Sequence, residues 1–299
     1  MKQSSVKRIL ISLLIIASVS CTFHNQKKQF AKHIILIGSD GFGAYAVNKA
    51  NIPNIKEMMT NGSYSLKARA VLPSSSAVNW ASMIMGSGPE LHGYTEWGSK
   101  IPKLPSAKIG KEGIYPTIFS LIDQQIPNTK KGVAYTWGGI GYLFEKNSVD
   151  LDFNGNSDKE TVDKALDFIV NDKPVLTFIH LSEPDHAGHE IGHDTPTYYK
   201  AVEKIDALVG KIIETLEKQK MMGETIILFS SDHGGINKGH GGKTLLEVEI
   251  PWIVYGKGIH QQKLEETIVT YDTGATIAFL LGLKIPEFWR GKPIKSIVE

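Results

Sequence analysis

Six of the ten histidines in this 299-residue chain fall between residues 180 and 240, where an even spread would place about two. They sit among carboxylates in short polar segments. In Glu183-Pro184-Asp185-His186-Ala187-Gly188-His189, a helical turn of the backbone would put Asp185 and His189 at i and i+4 on one face, able to hold a single ion. Asp232-His233-Gly234-Gly235 and Gly239-His240-Gly241-Gly242 follow. Neighbouring Asp and His face one ion poorly from a regular strand, but on a glycine-rich turn both can point into a cleft. Asp40, in Gly38-Ser39-Asp40-Gly41, completes the group. Taken singly, each is an ordinary turn or a solvated histidine. Taken together, three Asp and three His offer oxygen and imidazole ligands that suit zinc or manganese better than copper(I) or an iron–sulfur cluster. That is more than the about three protein ligands of one catalytic zinc. Two ions are the natural count, and such a pair can stabilise both the attacking and the leaving oxygen of an in-line displacement at phosphorus.

A nucleophile is available in Pro73-Ser74-Ser75-Ser76-Ala77-Val78-Asn79-Trp80. The serines precede a stretch with helical spacing, so one of them is expected to be its N-cap. The same geometry suits catalysis, because free N–H groups and the dipole at a helix start favour a phosphoryl oxyanion. Local pattern does not choose among Ser74, Ser75 and Ser76.

Elements that could position these residues are legible around them. Short apolar runs at 33–38, 132–136, 175–181, 225–231 and 252–255 read as strands. Helical patterns lie at 52–60, 77–85, 117–124, 159–170, 197–219 and 273–281. In the longest, Tyr198, Ala201, Val202, Ile205, Leu208, Val209, Ile212 and Leu216 form one apolar stripe. Alternating strands and helices imply an α/β domain with helices on both faces of a mainly parallel sheet. The polar segments then follow the carboxyl ends of strands, where such folds bind ligands.

The chain begins with Lys2, Lys7 and Arg8, an apolar stretch from Ile9 to Val19, and Ser18-Val19-Ser20-Cys21. A basic start and an apolar stretch of about 7–15 residues are what a secretory signal requires; a bilayer span needs about 20. The ending resembles a bacterial lipobox, with Ser18 where Leu is usual, which would make Cys21 a lipid attachment point. The expected division is therefore a signal at 1–21, a short tether at 22–32 and one domain at 33–299. The expected location is the bacterial cell envelope, as a periplasmic or outer-membrane lipoprotein. The single Cys allows no internal disulfide and no thiolate cage. With 33 Lys+Arg against 31 Asp+Glu there is no basic stripe, so composition does not support nucleic-acid binding. Removing residues 1–21 takes away three cations and no acid, leaving 30 against 31, about −1.

In this order and spacing the motifs resemble the alkaline phosphatase superfamily, most closely its type I phosphodiesterase and nucleotide pyrophosphatase branch. The likeness runs from about residue 33 to 295. It includes Asp40-Gly41-Phe42, Pro53-Asn54-Ile55, Pro73 to Trp80, Gly86 to Gly93, Glu183 to His189, Ser231 to Gly234, Gly239 to Gly241, Tyr271 to Ile277 and Trp289 to Pro293. It implies a three-layer α/β/α sandwich with a mainly parallel central sheet. Matching the nucleophile motif onto Ser76-Ala77-Val78-Asn79 implies Ser76 as nucleophile. The resemblance implies a first divalent metal on Asp185, His189 and His240, and a second on Asp40, Ser76, Asp232 and His233, with zinc or manganese as the ions. It further implies two displacements through a phosphoserine, with metals and backbone donors at the start of the 77–85 helix stabilising the charge on phosphorus.

The departures concern the substrate. Where the branch usually has a phosphate-binding Asn, after His92-Gly93, this chain has Trp97, with Thr95 as a substitute donor. Trp80 stands for a usual His. Asn79, Thr95 and Trp97 are the expected substrate contacts. Trp97, Tyr94 and Trp137 could stack a flat leaving group, but aromatics in such loops pack against neighbours at least as often, and packing is the default expectation. His186 and His193 are expected to be solvated, and Lys67, Arg69 and Lys243 to lie on the surface. The expected partner is a small-molecule phosphate ester, hydrolysed by a monomer or small homo-oligomer. The alternatives are a phosphomonoesterase, a sulfate or phosphonate ester hydrolase, and a catalytically silent envelope binding protein.

Overall fold

A computed structural model describes residues 28–299; the expected signal, Cys21 and most of the tether lie outside the described residues. Eight strands form one sheet: β1 (His33–Ser39), β2 (Ser63–Arg69), β3 (Lys131–Tyr135), β4 (Leu151–Asn154), β5 (Leu176–Leu181), β6 (Thr225–Ser230), β7 (Glu249–Gly256) and β8 (Gln262–Lys263). Their order across the sheet is β4-β3-β5-β1-β6-β7-β2-β8. All pairings are parallel except those of β7 with β6 and β2, so β7 alone runs against the rest. The expected strands are present with ends shifted slightly, and β2, β4 and β8 are additional. β2 turns the small residues Ser63, Ser65 and Ala68 inward and carries a bulge between Ser65 and Ala68, so it shows neither an apolar run nor clean alternation.

The helices are α1 (Pro53–Thr60), α2 (Ser76–Met85), α3 (Pro89–His92), α4 (Ile118–Gln125), α5 (Asp158–Asp172), α6 (Asp185–Glu190), α7 (Pro196–Lys218), α8 (Leu245–Val248) and α9 (Asp272–Leu280). They cover both faces of the sheet. Successive residues of β1 point to opposite sides: Ile34 and Leu36 join the core beneath α2, α4 and α9, while Ile35 and Ile37 join the one beneath α1, α5 and α7. The α7 stripe enters the second core as expected, with Leu208 at its margin. Two buried cores on one sheet make the three-layer α/β/α sandwich, and they explain why the central strands are apolar throughout.

Two of the sequence motifs prove to be supports. Asp206 of α7 accepts the N–H groups of Asn54 and Ile55, satisfying donors at the start of α1. Asp272 accepts the N–H groups of Val269 and Lys292, and Gly86 O accepts those of Arg290 and Gly291. The tail is thereby tied to the end of α2, the helix that carries Ser76.

His92, the last residue of α3, lies buried with Nδ1 accepting the Tyr94 N–H at 3.1 Å and Nε2 at 2.9 Å from Ser82 Oγ. Burial pulls its pKa from 6.5 down to about 3. The unfolded chain binds a proton at this site below pH 6.5 and the folded chain does not until about 3, so stability is level above pH 6.5 and falls as pH drops through that window. Urea titrations above and below pH 6.5 are expected to show a smaller acid loss for His92→Gln than for the wild type; equal losses would contradict this.

Candidate metal centre and active-site cleft

β5, β1 and β6 are neighbours at the centre of the sheet, and each ends in one of the acidic segments. Asp40 directly follows β1, Asp185 opens α6 just after β5, and Asp232 and His233 follow β6. α6 supplies the helical turn that Asp185 and His189 require: His189 Nε2 lies 3.4 Å from Asp185 Oδ2. Gly41 brings the first two segments together. Its φ of +68° favours glycine, and a Cβ there would lie 2.7 Å from the Asp185 Cβ. Its N–H donates to Asp232 Oδ1 at 3.2 Å, and the Asp185 N–H donates to Asp40 O at 3.0 Å.

The geometry separates the three serines. Ser74 Oγ turns to the Gly242 carbonyl and accepts the Gly241 N–H. Ser75 is the N-cap residue of α2 without a side-chain cap bond. Ser76 Oγ lies 3.2 Å from His233 Nε2, at the first residue of the helix. His240 reaches the same place from its glycine-rich loop, with Nε2 4.0 Å from Asp185 Oδ1. All seven expected residues thus converge. Asp185, His189 and His240 form one ligand-like cluster, and Asp40, Asp185 and His233 another, with donor atoms within 4.8 Å of one another in each.

The donor set fits bound cations on two grounds. First, the three imidazoles are oriented alike: Nδ1 faces a backbone carbonyl in His189 (Lys238 O, 3.0 Å), His233 (Gly234 O, 2.7 Å) and His240 (Ser74 O, 3.0 Å). A carbonyl only accepts, so Nδ1 carries a hydrogen, and each ring, when neutral, aims the Nε2 lone pair at the carboxylates. Second, Asp40 Oδ1, Asp185 Oδ1 and Asp232 Oδ2 are buried without a hydrogen-bond partner. Lone pairs and anions facing one another in a buried site call for positive charge between them.

The pKa shifts of these groups carry the same message. Burial, with the charges of Asp40 and Asp185, drives Asp232 well above the usual carboxylate range. Burial also pushes Asp185 up, but the His189 hydrogen bond and the neighbouring imidazoles outweigh it and hold this carboxyl at about 2. The hydrogen bond to Asp185 raises His189 to about 9. His189 therefore holds a proton where a cation would bind. Metal uptake by the metal-free chain is expected to release protons and to strengthen as pH rises towards 9; pH-independent affinity with no proton release would oppose this.

His180, not singled out in the sequence, holds Asp40. Its Nε2 lies 3.1 Å from Asp40 Oδ2, and Trp80 Nε1 donates to the same oxygen at 3.2 Å. Both partners are fully buried, and the Trp80 ring stands edge-on to His180. One carboxylate oxygen is thereby occupied and the other left free for a ligand. The available signal was a lone histidine inside the apolar run of β5. His180→Ala is expected to weaken metal binding in chelator competition by about tenfold, while His180→Gln, which restores a donor, recovers most of it; equal affinity in both variants would oppose this role.

The cleft above the cluster has a volume of about 500 Å³ and is lined by Asp40, Ser75, Ser76, Trp97, Trp137, Ser182, Asp185, His186, His189, Gly239 and His240. Among the described residues no Lys or Arg lines it: Arg69 pairs with Glu249 at 3.0 Å, and Lys67 and Lys243 are exposed. Trp97 and Trp137 form its aromatic wall, their ring centroids 6.4 Å apart and 27° from parallel. Tyr94 does not join them; it is buried, and its hydroxyl donates to Tyr142 O. Asn79 lies beneath the cleft with its amide committed to the backbone of Val71, Pro73 and Ser75, and Thr95 is outside the lining. The expected donors at the helix start are reduced, because Trp97 O already accepts the Ala77 N–H at 3.1 Å. His186 is exposed as expected, but His193 is buried, its ring pressed against Gly188 and Gly235 and its Nε2 3.9 Å from Asp185 Oδ1.

Residues 34–239 match the family model for type I phosphodiesterase / nucleotide pyrophosphatase. The chain belongs to that family. Human ectonucleotide pyrophosphatase/phosphodiesterase family member 5 is 25% identical over 239 residues, covering 76% of this chain and 50% of its own length. Bis(5'-adenosyl)-triphosphatase ENPP4 of Pongo abelii is 21% identical over 238 residues, covering 76% of this chain and 53% of its own. The chain spans about half the length of these curated relatives. Among solved structures, an inactive variant of murine ectonucleotide pyrophosphatase / phosphodiesterase 5 in complex with AMP superposes with a TM-score of 0.72 at 15% identity, over 91% of this chain and 100% of that one. A mutant of alkaline phosphatase PafA superposes with a TM-score of 0.74 at 11% identity, over 91% and 100%. These likenesses show that the chain shares its fold with those two structures.

Proposed function

We propose that this family member hydrolyses small phosphodiesters with two divalent cations and Ser76 as covalent nucleophile. The observation that carries the reading is that three carbonyl-tethered imidazoles and three carboxylates, each with a buried unpartnered oxygen, gather into two adjoining clusters beside the Ser76 hydroxyl. Asp185, His189 and His240 would hold one ion; Asp40, Asp232, His233 and Ser76 the other. Zinc or manganese suits this oxygen and imidazole set, and such ions supply a lowered pKa for the serine hydroxyl and charge neutralisation at the leaving oxygen.

The residues of the chain then have defined tasks. Ser76 Oγ gives up its proton and bonds to phosphorus as the bond to the leaving alkoxide breaks, with inversion, giving a serine-linked phosphodiester that keeps the substrate's second ester group, while the departing alkoxide takes up a proton and leaves as the alcohol. Water displaces Ser76 in a second inversion, so configuration at phosphorus is retained overall. His180 and Trp80 keep Asp40 turned, and Trp97 and Trp137 provide a flat apolar wall for the leaving group. A diester fits better than a monoester, because it bears one negative charge rather than two and, among the described residues, the cleft offers no Lys or Arg to offset a second. The same reading has residues 1–21 exporting the domain and Cys21 attaching it to the envelope, on the strength of that sequence alone.

The test is hydrolysis of a nitrophenyl phosphodiester and the matching monoester by the metal-loaded chain, with metal content measured alongside. Expected are close to two ions per chain, a diester rate above the monoester rate, and loss of at least about a thousandfold in Ser76→Ala. Loss in Ser75→Ala with Ser76→Ala unaffected would move the nucleophile by one residue. Bound metal with no turnover on diester, monoester or sulfate ester would make the chain a silent binding protein.

A further inference from the structure

Eleven large apolar side chains are exposed among the described residues; Trp97, Ile101, Leu104 and Ile109 follow one another along a single stretch, and Tyr142 and Phe288 lie against lysines of that stretch. Ile101, Ile109 and Trp97 are 67%, 65% and 64% exposed. Four belong to one ribbon, residues 97–111, which also carries Lys100, Lys103, Lys108 and Lys111 and no acidic residue. The lysines join the ribbon to its neighbours: Lys100 lies over the Tyr142 ring at 5.4 Å and Lys108 over the Phe288 ring at 6.0 Å.

The ribbon is held in this form by its backbone. Lys103 N–H donates to Gly93 O at 2.7 Å, Ala107 N–H to Leu91 O at 2.8 Å and Ser106 Oγ to His92 O at 2.9 Å. Isoleucines in a loop ordinarily fold inward; here they are kept out while the main chain is pinned to α3. Glu96 and Glu112 bound the ribbon, the first 3.7 Å from Lys103 and the second accepting the N–H groups of Lys146 and Asn147.

We propose that this ribbon, with Tyr142 and Phe288, docks on an anionic lipid bilayer. Protruding aliphatic and aromatic side chains interleaved with lysines match an interface in which apolar groups enter the acyl boundary and ammonium groups meet anionic headgroups. A soluble polyanion would have no use for the isoleucines, and a second copy of the same face would bring lysines against lysines. The course of the chain agrees. Lys28 and Phe30, where the described chain begins, line a depression with Leu283 and Ile285, while Lys284 and Pro286 between and beyond them line the one that holds Lys108, Lys111 and Phe288. The 27 residues before Lys28 include the apolar stretch 9–19, so that segment joins the domain at the edge of this face. At the other edge, Trp97 is also part of the cleft wall, which puts the mouth of the cleft beside the bilayer. This inference stands apart from the catalytic reading, since none of the residues altered below lines the cleft.

The test uses the intact chain and phosphatidylcholine vesicles with and without phosphatidylglycerol, some carrying brominated acyl chains. Trp97 is the one strongly exposed tryptophan among the described residues, so bromine quenching reports the ribbon's insertion. Wild type is expected to be quenched and to bind the anionic vesicles about tenfold more tightly. The triple variant Ile101→Ser, Leu104→Ser, Ile109→Ser should lose the quenching. The quadruple variant Lys100→Gln, Lys103→Gln, Lys108→Gln, Lys111→Gln should lose the anionic preference. Both should retain wild-type metal content and turnover of a soluble diester. The N-terminal segment is common to all three proteins, so the differences belong to the ribbon. Equal binding and quenching across the set would overturn the proposal, as would a wild-type dimer that the triple variant abolishes, which would make a second copy the occupant.

Discussion

Everything at the head of the sheet is arranged around an electrostatic conflict. Asp40 and Asp185 bring carboxylate oxygens into a cluster with His233 in which donor atoms lie within 4.8 Å of one another. Two like charges at that separation repel by roughly 3 kcal/mol at an effective dielectric constant near 20. Asp232 adds a third carboxylate with one oxygen unpartnered, and among the described residues the cleft lining contains neither lysine nor arginine. A fold that spent its stability on such an arrangement needs bound cations to complete it.

The architecture can be read as the means of holding that conflict in place. Three adjacent strands deliver the acidic segments, two apolar cores fix those strands from both sides, and the tail locks the far end of the helix bearing Ser76. Close approach is obtained where side chains are absent, as at Gly41 against Asp185. The orientation of each ligand is set by atoms that would never touch a metal: carbonyls behind the imidazoles, His180 and Trp80 behind Asp40. Trp97 has several roles, as cleft wall, as acceptor for the Ala77 N–H and as the start of the lysine and isoleucine ribbon.

Much of the fold was legible because buried parallel strands advertise themselves as apolar runs and α7 as a stripe. β2 was not legible, because its inward residues are small and polar and a bulge breaks its period. The clustering of Asp and His was legible because these residues recur in glycine-rich segments after strands, and the structure brings those segments together. Asn79 carried a substrate expectation, and the structure commits its amide to the backbone beneath the cleft; Tyr94 is buried, in keeping with the default expectation that it packs. His193 illustrates the opposite case: charge and polarity pointed to solvent, whereas Gly188 and Gly235 make room to bury the ring.

By itself, then, the sequence determined which chemical groups are present, the periodicities that make strands and helices, and the i, i+4 pairing of Asp185 with His189. These are properties of neighbours along the chain, and local geometry suffices for them. Only the tertiary structure decided that Ser76, rather than Ser74 or Ser75, faces His233, that His180 turns Asp40, and that Trp97 occupies a helix-start N–H. Each depends on residues brought together from distant parts of the chain, where a one-residue rotation around α2 or a one-residue slip along β5 would present a different side chain. Spacing along a sequence cannot register that choice; packing against the sheet makes it.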